Sequence, residues 1–351
     1  MGGLLDEKVP GFARWHETPM GRVPAITTTL TAADRFGAWK ARWGIGRLQY
    51  AVPPGLYAIG SPNPESPVVV TANYKMSYDL VRKHLDGRDV WLLVLETEGI
   101  NVWCAAGKGT FGTAELVNRI RMTGLSSFVT HRRLLLPLLG AAGVAAHHVE
   151  SATGFKVRFA AIRAQDLGTY LDNGQRTTEA MRQLTFTAAE RLVLTPVEIV
   201  HGMGINAWLL PPLFLVGAFG HGSFSAVGGM WAVVAYLGAF LAGALLTPLF
   251  LPWLPTRSFA IKGGILGMMW AAVLHAIAGT DWSVADMLAA GLVLPSVAAF
   301  VALNFTGSTP FTSRSGVKKE MRLSLPAIGI ACAAGLVVWI TDFILRVGAA
   351  L

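Results

Sequence analysis

The sequence predicts a Rossmann-like α/β domain over residues 66–200, followed by an all-α transmembrane domain of five helices over residues 201–351. An irregular lead-in over residues 1–65 precedes both. Three observations carry this reading. From Pro67 onward, apolar runs bounded by turn residues alternate with amphipathic stretches, the pattern of strand–helix units on a parallel sheet. Five later apolar runs each approach the roughly 20 helical residues that cross a hydrocarbon core. Charge is also unevenly spread, since residues 1–200 carry 22 basic and 17 acidic side chains while residues 201–351 carry only 7 and 4.

The composition sets limits on the whole. With 53% hydrophobic and 14% charged residues, the 351-residue chain is too apolar for an ordinary soluble protein and too apolar for disorder. Its two cysteines, Cys104 and Cys332, are too few and too far apart for a disulfide scaffold.

Taken in order, residues 1–65 are rich in Pro, Gly and Trp, with weak periodicity and one helix expected around Ala32–Trp43. A β-rich run over Val68–Thr71 opens the α/β pattern. A helix over Tyr78–Leu85, a turn at Asp86-Gly87 and an apolar strand over Val90–Leu95 follow. After the segment Asn101–Gly112 come a helix over Thr113–Met122, an apolar run over Leu134–Leu139 and a helix over Val144–Ser151. A strand over Phe155–Phe159 and a helix over Gln165–Leu171 complete it. Ligands on such sheets sit at the carboxyl ends of the strands, which singles out the segment after Leu95.

The spans are expected at Ile205–Gly220, Phe224–Phe250, Ser258–Gly279, Ser283–Phe305 and Ser324–Val347. Runs of this length must be helical, because lipid offers no partners for backbone polar groups. Pro211 and Pro212 make the first run either a kinked span that starts earlier or a re-entrant hairpin. The Gly220–Ser223 loop is uncharged, the next has Arg257 and Lys262, the third Asp281 and Asp286, and the fourth Arg314, Lys318, Lys319 and Arg322 against Glu320. Basic loops alternate with non-basic ones, so five spans place residues 1–200 in the cytoplasm and the C-terminus outside. Four spans would invert the front half. Met1–Lys8 lacks the pattern of a cleavable signal, and Asp6 breaks the myristoylation pattern.

The most informative segment is Asn101-Val102-Trp103-Cys104-Ala105-Ala106-Gly107-Lys108-Gly109-Thr110, which holds the single cysteine of the first 200 residues. Cys104 and Lys108 share a helical face, and a helix N-terminus beside an ammonium favours the thiolate, a soft metal ligand. The bland alternative is a small buried hydrophobe. Asn-Val-Trp-Cys-Ala-Ala-Gly-Lys resembles the signature of the membrane-bound corrinoid protein of the mercury-methylation pair of bacteria and archaea. The resemblance continues through Thr153-Gly154-Phe155-Lys156-Val157, Arg163-Ala164-Gln165-Asp166, Tyr170-Leu171-Asp172 and Pro196-Val197-Glu198. It covers roughly residues 65–200 and the five-span tail. Two departures are Ala142, where that family has Pro, and Ala160-Ala161, where it has Gly-Pro.

The resemblance implies a corrinoid-binding domain like that of the corrinoid iron–sulfur protein of the acetyl-CoA pathway, with a cobalamin-type cofactor. It implies Cys104 as catalytic residue and lower axial ligand to cobalt, with Asn101, Val102, Trp103, Ala105, Ala106, Gly107, Lys108 and Thr71 around the cofactor. The activity implied is a corrinoid-dependent methyltransferase acting on inorganic Hg(II); a methyl carrier for another acceptor is the alternative. The partners implied are a ferredoxin-like [4Fe–4S] protein as electron donor and mercury carrier, and a methyl-donating methyltransferase. The histidine-ligand signature Asp-x-His-x-x-Gly is absent.

Two rival readings draw on other residues. Gly107-Lys108-Gly109-Thr110-Phe111-Gly112 has the G-x-G-x-x-G spacing of a dinucleotide site, following a strand and opening a helix, but His131, Arg132 and Arg133 stand where an acidic residue is required. A transporter would need charge within the spans, where Asp342 pairs with Arg346 four residues on and His275 and Asn304 suit interhelical hydrogen bonds. His147-His148 lies on an amphipathic helix with one ring at the surface and one partly buried, and no further ligands are spaced for zinc. Cys332 suits packing within its span, and Trp208, Trp253, Trp282 and Trp339 suit membrane interfaces and contact with lipid. The basic surplus follows from topology and calls for no nucleic acid.

Overall fold

A computed structural model describes residues 9–219, 224–279, 282–308 and 314–350. Met1–Lys8, the Gly220–Ser223 connection, Asp281 and the Arg314 side chain lie outside the described residues. The chain divides into two compact units, Met1–Leu184 and Thr185–Leu351.

The first unit is built on a seven-stranded mixed sheet. Its strands are β1 (Phe12–Thr18), β2 (Gly21–Ile26), β3 (Gly55–Ile59), β4 (Val68–Ala72), β5 (Val90–Leu95), β6 (Arg133–Leu136) and β7 (Lys156–Phe159), in the order β1-β2-β3-β5-β4-β6-β7. Strands β5, β4, β6 and β7 are mutually parallel, as the alternating pattern predicts. Strands β1 and β2 form an antiparallel hairpin, and β3 runs antiparallel to β5.

Three of the seven strands therefore come from the stretch expected to be irregular. Strand β1, Phe-Ala-Arg-Trp-His-Glu-Thr, lies at the sheet edge and is half exposed, so no apolar run announces it. Strand β3 is fully buried but only five residues long, directly after Pro53-Pro54. The expected helix around Ala32–Trp43 is present as α1 (Ala32–Arg42), closed by a Thr31–Asp34 capping box.

The remaining helices of this unit are α2 (Lys75–His84), α3 (Val102–Lys108), α4 (Thr113–Thr123), α5 (Leu125–Phe128), α6 (Ala146–Thr153), α7 (Leu167–Asp172) and α8 (Glu179–Arg182). The central strands are apolar on both faces because both are covered. Val68, Val70, Trp91 and Leu93 pack with Ala105, Leu116 and Val149 on one face, whereas Val69, Leu92 and Val94 pack with Tyr78, Val81 and Tyr170 on the other. Among the parallel strands the second-to-last crossover reverses direction, so β4 and β6 flank a switch point whose carboxyl-end crevice is where such sheets bind ligands.

Helix α1 is held mainly by charge. Lys75 Nζ lies 2.5 Å from Asp34 and 2.6 Å from Asp79, and the Arg82 guanidinium lies 2.9 Å from each of the same carboxylates. Arg82 also donates to the carbonyls of Thr27 and Thr29. Burial by itself would raise the Asp34 pKa, but hydrogen bonds from Lys75 and Thr31 outweigh it and hold the carboxyl well below the usual carboxylate range. A depressed pKa contributes stability above the unfolded value, about 4, and that stability drains away as pH falls further.

The second unit is helical. Helix α9 (Ala188–Ala218) runs unbroken through Pro196, Pro211 and Pro212, so the re-entrant alternative is not adopted. Helix α10 (Ala226–Leu241) continues through a π-helical turn, Ala242–Leu246, into α11 (Thr247–Leu249). Then come α12 (Phe259–Ala278), α13 (Val284–Asn304) and α14 (Arg314–Ala350). Counting Ala226–Leu249 as one rod, five helices among the described residues are long and apolar enough to cross a membrane.

The outer two are longer than expected. Helix α9 begins at Ala188 rather than near Ile205, and α14 already includes Lys318, Lys319 and Arg322, residues the sequence places in a loop. Lys262 likewise lies inside α12, buried, donating to the Leu251 carbonyl at 2.7 Å. Glu320 of α14 accepts from Ser258 Oγ at 2.9 Å and from Ala260 N–H at 3.0 Å, tying α14 to the first turn of α12.

At the opposite end Arg346 lies 2.5 Å from Asp286 and pairs with Asp342 as expected. Tyr236 donates to Asn206 across two helices at 2.7 Å; His275 packs on Trp282, and Asn304 is exposed.

Replacing Arg82 by Met leaves Asp34 and Asp79 buried with only Lys75 between them. This should cost the first unit about 3–5 kcal/mol. Denaturation of the full chain, followed by hydrogen exchange of the β4 and β5 amides, checks this. A loss below about 1 kcal/mol would refute the ionic anchoring.

Candidate functional site

The site is organised by the polypeptide that leaves β5. Asn73, buried just beyond β4, accepts at Oδ1 from Thr97 N–H (3.1 Å), Thr97 Oγ (2.8 Å) and Gly99 N–H (3.1 Å), and donates to Glu96 at 2.8 Å. The Glu96 carboxylate also accepts from Glu98 N–H, while the Glu96 N–H donates to Glu115 of α4, itself paired with Arg119. Glu98 and Gly99 have φ of 58° and 65°, a left-handed pair that reverses the chain.

Helix α3 starts immediately after this reversal. The Asn101 side chain accepts from Cys104 N–H at 2.9 Å, capping the helix, and Gly109 with φ of 93° ends it. Val102, Ala105 and Ala106 turn into the core; Trp103, Cys104 and Lys108 are exposed. Cys104 is thus not the buried hydrophobe of the bland reading, and Cys332 is half buried.

Helix α3 rests on the turn after β6, at the β4–β6 switch point. The approach is possible because that turn carries glycines. A Cβ on Gly143 would collide with the Phe111 carbonyl and lie 3.0 Å from Ala106 Cα; one on Gly140 would lie 2.5 Å from the Phe111 ring. Beside the helix, Thr110 Oγ is buried with no hydrogen-bond partner.

The other residues singled out from the sequence are placed as follows. Thr71 is buried in β4, and alternation puts it with Val69 on the α2 face of the sheet, away from α3. Ala142 is exposed in the glycine turn, whereas Ala160 and Ala161 are buried. The Gly107–Gly112 spacing straddles the end of α3 and the start of α4 instead of following a strand directly, which removes the context a dinucleotide site needs. His147 and His148 are both exposed, with ring centroids 4.1 Å apart, correcting the expectation of one partly buried ring. No group of three or more His, Cys, Asp or Glu among the described residues could hold a metal ion.

Sequence reasoning missed the Asn73 network, whose partners lie 23 to 26 positions away. It also missed a cavity of about 530 Å³ in the helical unit, lined by Trp231, Trp282 and Trp339 beside the Arg346 ion pairs.

Gly143→Ala should push α3 off its seat at a cost of about 1–3 kcal/mol. Faster hydrogen exchange across residues 102–108, with β4 and β5 unchanged, is the expected result. Unchanged exchange there would show that the close approach does not position the helix.

Comparison with known proteins bears on the first unit. The family profile of the CO dehydrogenase/acetyl-CoA synthase delta subunit matches residues 46–171. The chain is 36% identical over 123 residues to the acetyl-CoA decarbonylase/synthase complex subunit gamma of Methanopyrus kandleri, covering 34% of this chain and 26% of that protein. It is 37% identical over 113 residues to the subunit of the same name from Archaeoglobus fulgidus, covering 32% and 24%. The chain therefore spans about a quarter of the length of the curated relatives it matches. The matched segment runs from the turn ahead of β3 into α7 and includes the whole of α3.

Proposed function

We propose that the α/β unit binds a corrinoid and acts as a methyl carrier, anchored in the cytoplasmic membrane by the helical unit, with inorganic Hg(II) as methyl acceptor. The observation that carries this reading is the exposed thiol of Cys104 on a short helix seated at the switch point of the sheet. Similarity to subunits of the acetyl-CoA decarbonylase/synthase complex supports the carrier role. Mercury as acceptor rests on the Asn101–Lys108 signature.

The residues present fit the cofactor. A thiolate is a competent soft ligand for cobalt, and Cys104 is presented outward by a helix whose other side is locked into the core. Asn101 fixes the backbone that carries it. The unpaired Thr110 hydroxyl suits the amide groups at a corrinoid's periphery. Of the residues assigned to the cofactor, Trp103, Cys104 and Lys108 offer side chains, whereas Val102, Ala105 and Ala106 shape the helix from inside.

When bound, the corrinoid would supply a cobalt centre able to accept and release a methyl group. The Cys104 thiolate would hold the cobalt, and because a thiolate donates more electron density than an imidazole it would suit transfer to an electrophile such as Hg(II). With Cys104 so engaged, Cys332 is the one cysteine remaining, so this chain has no thiol pair to hold mercury. Delivery of mercury and reducing electrons falls to a ferredoxin-like [4Fe–4S] partner, and the methyl group to a separate methyltransferase. The names of the relatives favour a second reading, in which the acceptor belongs to a carbon-fixing partner.

Orientation follows from Arg257 and the basic start of α14, which lie at the ends of the helices expected to be cytoplasmic. A reporter fused in the Arg257 connection should be active as a cytoplasmic marker, and one fused after Gly279 as an external marker. Reversal at either point would refute the orientation.

The corrinoid reading is tested by visible spectra of the full chain, purified and reconstituted without oxygen. Cys104→Ala should lose the sulfur-ligated spectrum while retaining some corrinoid, and methyl transfer to Hg(II) should fall at least about 100-fold. Cys104→His should leave transfer low if thiolate donation is required and rescue it if any lower ligand suffices. Cys332→Ala should be nearly silent. An unchanged spectrum and full transfer in Cys104→Ala would overturn the assignment.

A further inference from the structure

We propose that the outward face of α1 and the turn that follows it dock onto the surface of an anionic lipid bilayer. This rests on the membrane-spanning reading of the second unit. Helix α1 buries only Asp34 and Ala41. Its attachment is ionic, through Asp34 to Lys75 and Arg82, with Tyr50 Oη donating to the Asp34 carbonyl at 3.3 Å. A surface helix of a globular domain ordinarily turns its large apolar residues inward. Here the ion pairs occupy the inward side, and the aromatic residues are left outside.

Phe36, Trp39 and Trp43 recur at helical spacing and form one stripe. The Phe36 and Trp39 rings stack at 5.7 Å, and Trp39 and Trp43 lie 5.8 Å apart. Phe36 is 59% exposed and Trp39 51%; beyond the helix, Ile45 is 54% and Leu48 83% exposed. Arg35, Lys40, Arg42 and Arg47 interleave with them, and Lys40 Nζ sits 5.4 Å over the Phe36 ring. Asp34, the one acidic residue between Ala32 and Gln49, is buried and neutralised. The exposed charge of the patch is therefore positive throughout.

This chemistry selects its occupant. Indole and phenyl rings settle at the headgroup level of a bilayer, and neighbouring Lys and Arg reach lipid phosphates. A water-facing surface would gain nothing from four large apolar side chains in one place. The same chain carries five helices long and apolar enough to span a membrane, so a bilayer is the partner that the membrane-spanning reading already supplies.

The test uses the full chain in nanodiscs of phosphatidylcholine alone or of a phosphatidylglycerol-rich mixture, read by hydrogen exchange. Amides of residues 36–48 should exchange about fivefold or more slowly in the anionic discs, with β4 and β5 unchanged. High salt, or the triple variant R35E/K40E/R42E, should abolish the difference. Equal exchange in both lipids, or protection that follows protein concentration instead of lipid charge, would overturn the proposal. The second outcome would point to another copy of the chain. Failure to enter either disc would instead overturn the membrane-spanning reading.

Discussion

The carboxamide of Asn73 is the interaction on which the candidate site depends. The segment from Glu96 to Ile100 must turn through two left-handed residues at the end of a buried strand, where the N–H groups of Thr97 and Gly99 are buried. Three donors meet one carboxamide oxygen there, and the nitrogen of the same side chain holds Glu96. Leaving such groups unpaired would cost on the order of 1–3 kcal/mol each, so the loop conformation is strongly specified. Everything after it inherits that placement: Asn101 caps, α3 begins, and Cys104 emerges on the exposed side.

Each face of the sheet achieves close packing by different means. On the α3 side, glycines in the β6–α6 turn let backbone approach backbone, and Phe111 fills the space below. On the α2 side, four charged groups are buried together around Asp34, Lys75, Asp79 and Arg82. Two positive and two negative groups there cancel in pairs, which is what makes their burial tolerable. An apolar contact would have turned α1 over; the ionic one dictates which side of the helix faces water.

In the helical unit, five helices among the described residues are long and apolar enough to cross a membrane. Gly243 and Gly263 both approach the Ala298 carbonyl, so neighbouring helices meet through small residues. Among the described residues of α10 to α14, charge lies toward the helix ends, with Lys262 and Glu320 at one and Asp286, Asp342 and Arg346 at the other. Trp208 and Trp253 stay on the outside.

By itself the sequence determined the parallel strands, the five long helices and the one exposed-thiol candidate, because these are written in local periodicity, run length and a contiguous motif. Val90–Leu95 and Ala32–Arg42 are legible for that reason. Only the tertiary structure decided the rest. Strands β1 to β3 depend on pairing with partners elsewhere in the chain, and β1 is too polar to show that need. Thr71 is expected beside the cofactor, yet strand alternation puts it on the α2 face, away from α3. Which residues of α3 face outward was decided by Asn73 from one strand away and by Gly140 and Gly143 from another. Local patterns record which surfaces seek burial, but a side chain's final direction is set by non-local contacts, and those form only when distant segments meet.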